Sequence, residues 1–354
     1  LPFSSPRDCT SGWPAMAPKA PMKRPASSVG SAAGVDESAR PSKRAKAESE
    51  AVYMSYKGKA IPEPSIKRIW SPKGPKDGLT AIMWNVGGLR AFLEKRGRDL
   101  QKLVAEQKPA LLGFMEHKLQ EGAQVEEAAR RLAELLPDFV VEPTSFHCSK
   151  QKKGYSGTVV LWQKSAAPLA VKCSKLEQGP DEGRTISVEY PKLHVVLCYV
   201  MNSGDGLCRH AERLKRFDPS LRSHLKGLAR SKPVILMGDL NVAHRNKDIW
   251  NSEAPHVPKS ASTTPEERES FDKLLADGFV DGFAHLHPEH NGAFTYWSVR
   301  AGNRKPNRGL RLDYAVVSQS MVSGGAGAKL RDAFHLPKYA PGGDHCPIGA
   351  SIAF

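Results

Sequence analysis

The stretch Pro-Val-Ile-Leu-Met-Gly-Asp-Leu-Asn-Val-Ala-His, residues 233–244, joins an apolar run to a cluster of polar side chains. Five apolar residues bounded by polar ones are typical of a buried strand. Asp239 and Asn241 lie two residues apart at its end, so they project to the same side of the chain. A carboxylate can hold a metal ion or orient a water molecule, and a carboxamide can donate to a phosphate oxygen without adding charge. On its own the stretch is equally compatible with a plain turn.

Four further polar clusters follow apolar segments elsewhere in the chain. They are Asn85 in Trp-Asn-Val-Gly-Gly-Leu-Arg at 84–90, Glu116 in Met-Glu-His-Lys at 115–118, Tyr199 with Asn202 in Tyr-Val-Met-Asn-Ser-Gly at 199–204, and Asp313 at 311–314 with Asp344 and His345 in Asp-His-Cys-Pro at 344–347. Each cluster on its own can be explained without a function, for example as an ordinary carboxylate at a strand end. Their recurrence in one chain favours a single shared site.

The ligand types in these clusters favour a hard cation. Mg²⁺ takes oxygen ligands, usually one or two carboxylates together with waters and a substrate phosphate. Glu116 is the best candidate ligand, with Asn85 and Asp344 beside it. The six cysteines form no Cys-x-x-Cys pair, and the histidines form no dense cluster, which argues against zinc.

Composition points to a polyanionic partner. The 354 residues carry a formal net charge of +15. Residues 1–60 hold 10 Lys or Arg against 5 Asp or Glu, so most of the excess lies in the remainder of the chain. A basic surface of this kind favours nucleic acid, although a merely basic protein would show the same balance. No apolar run reaches the roughly 18 residues that span a bilayer, and we expect no membrane partner.

The N-terminal segment, residues 1–65, has few large apolar residues and is predicted to be a disordered basic tail. Two basic clusters, at 23–24 and 43–46, are separated by a linker and are similar to a bipartite nuclear import signal. We therefore expect a nuclear location and contact with import factors. An organellar transit peptide, or a basic arm on nucleic acid, would explain the same residues.

From residue 78 onward most of the predicted strands follow one another without an intervening helix. Strands are predicted at 80–86, 110–116, 139–144, 157–163, 185–190, 193–200, 234–241, 294–298, 311–318 and 346–354. Helices are predicted at 92–107, 123–136, 210–230 and 265–277, the last behind the cap Thr264. This order favours an α+β fold with two mostly antiparallel sheets packed face to face and helices outside.

Taken in order, the motifs resemble those of a known family. The chain is similar to the exonuclease III branch of the endonuclease/exonuclease/phosphatase superfamily, the apurinic/apyrimidinic (AP) endonucleases of base-excision repair. The similarity includes Trp-Asn-Val-x-Gly-Leu-Arg at 84–90, Glu-x-Lys at 116–118, Gly-Tyr-Ser-Gly at 154–157, Gly-Asp-Leu-Asn-Val-Ala-His at 238–244, Arg-Leu-Asp-Tyr at 311–314 and Gly-Asp-His-Cys-Pro-Ile at 343–348. It implies a four-layer αββα sandwich, a catalytic domain over residues 78–354 and a site at one mouth of the two sheets.

The resemblance also implies roles for individual residues. Asp239 would orient or deprotonate the attacking water, Asp313 would hold His345 through one ring nitrogen, and Tyr199 would touch the phosphate or the leaving oxygen. Asn241 and Asn202 would contact the phosphate. Ligands for Mg²⁺, with Mn²⁺ as a substitute, would come from Glu116, Asn85 and Asp344, with Asp239, Asn241 and His345 close by.

The side chains expected to hold DNA depart from the family pattern at several points. Arg90 is a predicted phosphate contact and Tyr155 a predicted substrate-binding residue. Tyr296, Trp297 and Leu310 are the predicted walls of the pocket for the abasic sugar. Leu310 stands where an aromatic is common, and Trp297 could equally be a core residue. Gly87 replaces a carboxylate or carboxamide of many relatives, and Asp205 stands where some relatives place an Arg. These changes bear on substrate range.

Three functions remain open from the sequence. The leading hypothesis is a monomeric, Mg²⁺-dependent nuclease that nicks double-stranded DNA 5′ to abasic sites, with 3′-phosphodiesterase or 3′–5′ exonuclease activity besides. A phosphatase or RNA-directed member of the same superfamily is the second hypothesis. A nucleic-acid-binding protein that has lost turnover is the third.

Overall fold

The computed structural model describes residues 60–324 and 327–354. The basic clusters at 23–24 and 43–46, and all but the last residues of the predicted tail, lie outside the described residues. Among the described helices, none combines the length and apolar character needed to cross a bilayer.

The described part of the chain contains thirteen strands and five α-helices of five or more residues. The strands are β1 (Gly78–Asn85), β2 (Leu111–Met115), β3 (Phe139–Val140), β4 (Phe146–His147), β5 (Thr158–Gln163), β6 (Ala170–Cys173), β7 (Thr185–Glu189), β8 (His194–Cys198), β9 (Val234–Asp239), β10 (Phe279–Asp281), β11 (Asp313–Ser318), β12 (Lys329–His335) and β13 (Ile348–Ala353). The helices are α1 (Leu89–Gln107), α2 (Ala123–Leu135), α3 (Asp218–Ala229), α4 (Pro265–Ala276) and α5 (Gly282–Leu286).

The strands form two sheets. The first has the order β12-β13-β1-β2-β5-β3, with β4 also paired to β5, and the second has the order β10-β11-β9-β8-β7-β6. Every pairing is antiparallel except β1 with β2 and β8 with β9. In each parallel pair the carboxyl ends meet at the same edge of the sheet. Polar residues that follow these four strands are therefore brought to common edges.

Three apolar clusters separate four layers. One cluster joins α1 and α2 to the outer face of the first sheet. A second fills the space between the sheets, with Met83, Leu197 and Met237 among its buried residues. A third joins α3 and α4 to the outer face of the second sheet. The prediction of two mostly antiparallel sheets flanked by helices is confirmed.

Three predicted elements were wrong in detail. The predicted strand at 139–144 is a strand only at Phe139–Val140, and Pro143–Ser145 forms a 3₁₀ turn. Residues 294–298 form no strand, and Tyr296 makes only isolated bridges to Leu310 and His345. The predicted helix at 210–230 is interrupted: a short helix, His210–Glu212, runs into a π-helical turn, Arg213–Phe217, before α3 begins. Pro219 in the first turn of α3 lacks the N–H that a regular helix would use, and a π turn accommodates such a defect.

Gly349 on β13 gives a test of packing in the first sheet. A Cβ at this position would overlap the ring of Phe334, its cross-strand partner on β12. We expect Gly349→Ala to lower the free energy of unfolding by about 1–3 kcal/mol, because the ring must move within a filled core. Denaturant unfolding measures the change. Gly97→Ala on α1 is the control: its Cβ would meet Leu135 at an ordinary 3.6 Å, so no loss is expected. Equal stability of wild type and Gly349→Ala would contradict this packing.

Candidate active site

The ends of four strands and the start of a fifth bring the predicted polar residues to one place. Asn85 is the last residue of β1, Glu116 follows β2 and Tyr199 follows β8. Asp239 ends β9, and the antiparallel register places it directly opposite Asp313 at the start of β11. The Asn85 side-chain amide donates to Glu116 Oε1 and to Asp239 Oδ2, both at 3.0 Å. Asn85 thus links the two sheets at this edge.

His345 lies between two buried carboxylates. Its Nδ1 is 2.8 Å from Asp313 Oδ2, and its Nε2 is 3.7 Å from Asp239 Oδ2. Burial opposes the charged imidazolium, but the charges of Asp313 and Asp239 outweigh it and raise the pKa of His345 to about 10. Burial also raises the pKa of Asp239 to about 7, with Asp313 adding to the rise and His345 opposing it. Near neutral pH the site therefore holds a protonated imidazole beside a carboxylate able to accept a proton.

Two carboxamides lie next to this triad with fixed orientations. The Asn241 backbone N–H donates to Asp239 Oδ1 at 2.9 Å, and its side-chain amide donates to Val200 O at 2.8 Å. The Asn202 amide donates to Asn241 Oδ1 at 2.8 Å. Since an amide nitrogen carries two hydrogens, each side chain retains one N–H for another acceptor.

Glu116 is held as an anion by its neighbours. Burial opposes its ionisation, but the charge of Lys118 and hydrogen bonds from Asn85, Lys118 and Tyr199 outweigh it, so the pKa of Glu116 is lowered. Lys118 Nζ lies 3.0 Å from Glu116 Oε2 and also donates to Gly87 O at 3.0 Å. Burial, together with the charge of Glu116, raises the pKa of Tyr199 well above its usual value, so its hydroxyl stays a donor.

Three site residues that are not glycine have a left-handed backbone. They are Glu116 with φ 53°, Lys118 with φ 57° and Asn241 with φ 48°. Such conformations cost about 1–3 kcal/mol and persist only where the surrounding structure holds them. Their concentration at these turns agrees with a functional site rather than a loop that merely connects strands.

Two sets of side chains at the site carry ligand types that suit a metal ion. Within the described residues, one cluster has ligand atoms close enough to share an ion: Asp239, Asp313 and His345. In that cluster His345 Nδ1 is already hydrogen-bonded to Asp313 Oδ2 at 2.8 Å, so an ion would have to break this bond to use that nitrogen. Glu116, with the partly exposed Asp344, supplies carboxylate oxygens without this conflict. This oxygen-rich set fits a hard divalent cation.

The ring of Tyr296 lies beside these carboxylates. Burial raises the pKa of its phenol to about 12, and the charges of Asp344, Asp239 and Glu116 add to the rise. Its centroid is 4.9 Å from that of His345. Leu310 pairs with Tyr296 in an isolated bridge and is half-buried beside it. Tyr296 therefore lies next to the triad, and Leu310 lies next to Tyr296.

Trp297 does not fit its predicted place. It is 1% exposed within the first core cluster, and its indole N–H donates to Asn307 Oδ1 at 2.9 Å. The expectation that it forms a wall of the pocket is corrected: its ring packs in the core. Arg90 is exposed in the first turn of α1, and its contact with DNA stays a prediction.

Tyr155 belongs to a cationic network that the sequence analysis missed. Its hydroxyl accepts from Arg184 at 2.9 Å and from Arg209 at 3.1 Å, and both arginines pair with buried Glu182. Arg184 also lies 4.8 Å over the Tyr199 ring. The charged residues at 181–184, immediately before β7, were the signal that could have located this network.

Comparisons with known proteins agree with this geometry. Residues 84–345 match the model of the Endonuclease/Exonuclease/phosphatase family. The chain is 37% identical over 283 residues to the DNA repair nuclease APEX1 of Danio rerio, covering 78% of this chain and 84% of the relative. It is 36% identical over 274 residues to an exodeoxyribonuclease of Bacillus subtilis, covering 76% of this chain and 98% of the relative. The crystal structure of the AP endonuclease LMAP from Leishmania major superposes with a TM-score of 0.68 at 29% identity, covering 87% of this chain and 99% of that one.

The charge state of His345 can be measured directly. We expect its imidazole to stay protonated until about pH 10 in the wild-type protein, as read by ¹H–¹⁵N NMR of the ring nitrogens. Asp313→Asn removes one neighbouring charge and leaves at most a weaker, neutral hydrogen bond, so the midpoint should fall by about 1–3 pH units. His117, whose pKa burial lowers to about 4, is the internal control and should not respond. A wild-type midpoint near the ordinary histidine value would refute the triad's electrostatics.

Proposed function

The chain belongs to the endonuclease/exonuclease/phosphatase family, and on that premise we propose that it is a DNA repair nuclease that hydrolyses the phosphodiester 5′ to an abasic site. The observation that carries the proposal is the Asp313–His345–Asp239 triad, joined through Asn85 to Glu116 at one edge of the two sheets. Activity at 3′ ends, as a phosphodiesterase or a 3′–5′ exonuclease, is part of the same proposal. It is supported by the relatives named exodeoxyribonuclease.

The reaction divides among side chains according to their charge. Asp239 accepts a proton from the attacking water, since its raised pKa makes the carboxylate a usable base near neutral pH. The water oxygen bonds to phosphorus while the bond from phosphorus to the 3′ oxygen breaks. The products are a 3′-hydroxyl and a 5′-phosphate on the abasic sugar. The Tyr199 hydroxyl, which stays protonated, donates a hydrogen bond toward the phosphate or the departing 3′ oxygen, and that oxygen takes its proton from solvent water.

Charge that develops on the phosphoryl oxygens is offset by donors already in place. His345 presents a protonated Nε2, and Asn241 and Asn202 each present a remaining N–H. Preorganised donors of this kind contribute about 2.7–4 kcal/mol each to transition-state stabilisation.

We propose Mg²⁺ as the cofactor, with Mn²⁺ as a substitute, held by Glu116 and Asp344 with Asn85 beside them. The bound cation would polarise a phosphoryl oxygen and offset its charge. Gly87 contributes no side-chain ligand, and a Cβ there would lie 4.0 Å from both Asp344 carboxylate oxygens. We therefore propose weaker metal binding than in relatives with a ligand at this position.

Recognition of the abasic nucleotide would depend on its missing base. No stacked base must be extracted, so extrusion into a pocket beside Tyr296 and Leu310 is cheaper than for an intact nucleotide. Asp205 is exposed in its loop and would repel a phosphate, which suggests a substrate preference different from relatives with an Arg there. A monomeric state, duplex DNA as the partner and import to the nucleus, or to an organelle, through the tail complete the proposal.

The proposal is tested on duplex DNA that carries one tetrahydrofuran abasic analogue. We expect nicking on its 5′ side with Mg²⁺ and none with EDTA. Asp239→Asn and His345→Asn should each lower the rate at least about 10²–10³-fold while DNA retention changes little, because each removes a group that acts on the reacting phosphate. Nicking is read on denaturing gels and retention by electrophoretic mobility.

The control for these variants is the pair in which buried His244 Nε2 lies 2.6 Å from the exposed carboxylate of Asp272. Asp272→Asn removes a carboxylate from a histidine outside the triad and should leave nicking unchanged. Binding without cleavage by the wild-type protein would reject the nuclease proposal and favour a binding role. Wild-type rates from Asp239→Asn would remove Asp239 from the mechanism.

A further inference from the structure

A buried arginine lies directly behind the catalytic loop. Arg213, in the π-helical turn, is 2% exposed and donates to the backbone carbonyls of both Leu240 and Asn241, at 2.9 and 2.6 Å. The same guanidinium pairs with Glu267 Oε1 at 2.9 Å. No part of the mechanism above uses this pair.

Glu267 connects the arginine to the second carboxamide. It is 1% exposed on α4, and its Oε2 accepts from the backbone N–H and the hydroxyl of Thr264. Its Oε1 accepts a hydrogen bond of 2.5 Å from the Ser203 hydroxyl. Ser203 immediately follows Asn202, so the ion pair contacts the loops of both carboxamides.

These contacts close a ring of hydrogen bonds. The ring runs from Asn241 through Arg213, Glu267 and Ser203, and returns from the neighbouring Asn202 through its bond to Asn241 Oδ1. Asn241 is also left-handed at φ 48°, a conformation that needs support from its surroundings. Two donors from Arg213 onto consecutive carbonyls supply that support.

An ion pair is not the usual means of stabilising a core. Desolvation offsets most of the attraction between buried charges, and apolar residues of similar size often serve stability equally well. A buried guanidinium and carboxylate instead fix the orientation of the groups they bind, because both are planar and each forms several hydrogen bonds. Here the pair fixes the loops that carry Asn241 and Asn202, whose amides face the phosphate in the proposed mechanism.

We propose that the Arg213–Glu267 pair is a positioning element that orients Asn241 and Asn202 as a unit toward the phosphoryl group. The inference rests on the proposed nuclease function and adds to it residues that touch no substrate. Displacement of a positioned group by about 1 Å can cost about 10²-fold in rate. The pair should therefore act on turnover rather than on DNA affinity.

The first test uses Glu267→Gln and Ser203→Ala. In Glu267→Gln one carboxylate oxygen becomes an NH₂ group. That NH₂ must face either the donors of Ser203 and Arg213 or the donors of Thr264, and the donors it faces lose their acceptor. Ser203→Ala leaves the ion pair intact and removes only its bond to the Asn202 loop. We expect kcat to fall about 10–100-fold for the first and about 10-fold for the second, with KM for DNA within about twofold of wild type. Circular dichroism at the assay temperature confirms that both variants are folded.

The decisive measurement is a double-mutant cycle with Asn202→Ala. If the pair acts on the Asn202 loop through Ser203, adding Ser203→Ala to Asn202→Ala should lower kcat by less than about twofold further, because the carboxamide that Ser203 positions is already gone. Independent, multiplicative losses would overturn the inference, and so would single variants with lowered stability but wild-type kcat.

Asp332→Asn is the matched control. Asp332 is fully buried and accepts from Arg68 at 2.7 Å on β12, in the other sheet. Its loss should lower stability without lowering kcat. A fall in kcat comparable to that of Glu267→Gln would mean that loss of any buried ion pair reduces turnover, and would reject a specific positioning role. A wild-type protein that nicks no abasic DNA rejects the proposed function itself, which separates the two failures.

Discussion

Two buried carboxylates face each other across a strand pair, and the arrangement of the site depends on the positively charged imidazole between them. The register of β9 and β11 fixes Asp239 opposite Asp313, each 1% exposed. Like charges in a low-dielectric environment repel strongly unless an opposite charge intervenes. His345 supplies it, with one ring nitrogen on each side, and its own pKa rises as a result. With His345 between the two carboxylates, burial still raises the pKa of Asp239 to about 7, so this carboxylate can accept a proton near neutral pH.

Much of the fold and most of the site were predictable from local pattern. Asn85, Glu116 and Asp239 each follow an apolar run, and the ends of buried strands are where polar residues gather. The layered arrangement followed from strands that succeed one another with few helices between them. Residues 294–298 were mistaken for a strand because Phe294, Thr295, Tyr296 and Trp297 are all residue types common in strands. Tyr296 instead pairs with single residues of two distant loops, which no local pattern records.

The contacts that relate the two sheets could not be predicted from the sequence. Asn85 was expected beside the metal, but its donation to both Glu116 and Asp239 depends on how the sheets approach each other. The burial of Arg213 could not be predicted either. In the sequence it resembles any other basic residue of an amphipathic helix, but in the structure it lies buried behind the catalytic loop. Edge strands such as β6 were missed because their exposed side chains leave no apolar alternation.

If these side chains surround one phosphodiester, a crystal structure of the Asp239→Asn protein with uncleaved duplex DNA bearing the tetrahydrofuran analogue will show it. We expect the phosphate 5′ to the analogue to lie within about 2.7–3.2 Å of the Asn241 and Asn202 amides and of His345 Nε2. DNA bound on another face, with these three groups bonded only to protein or water, would contradict it.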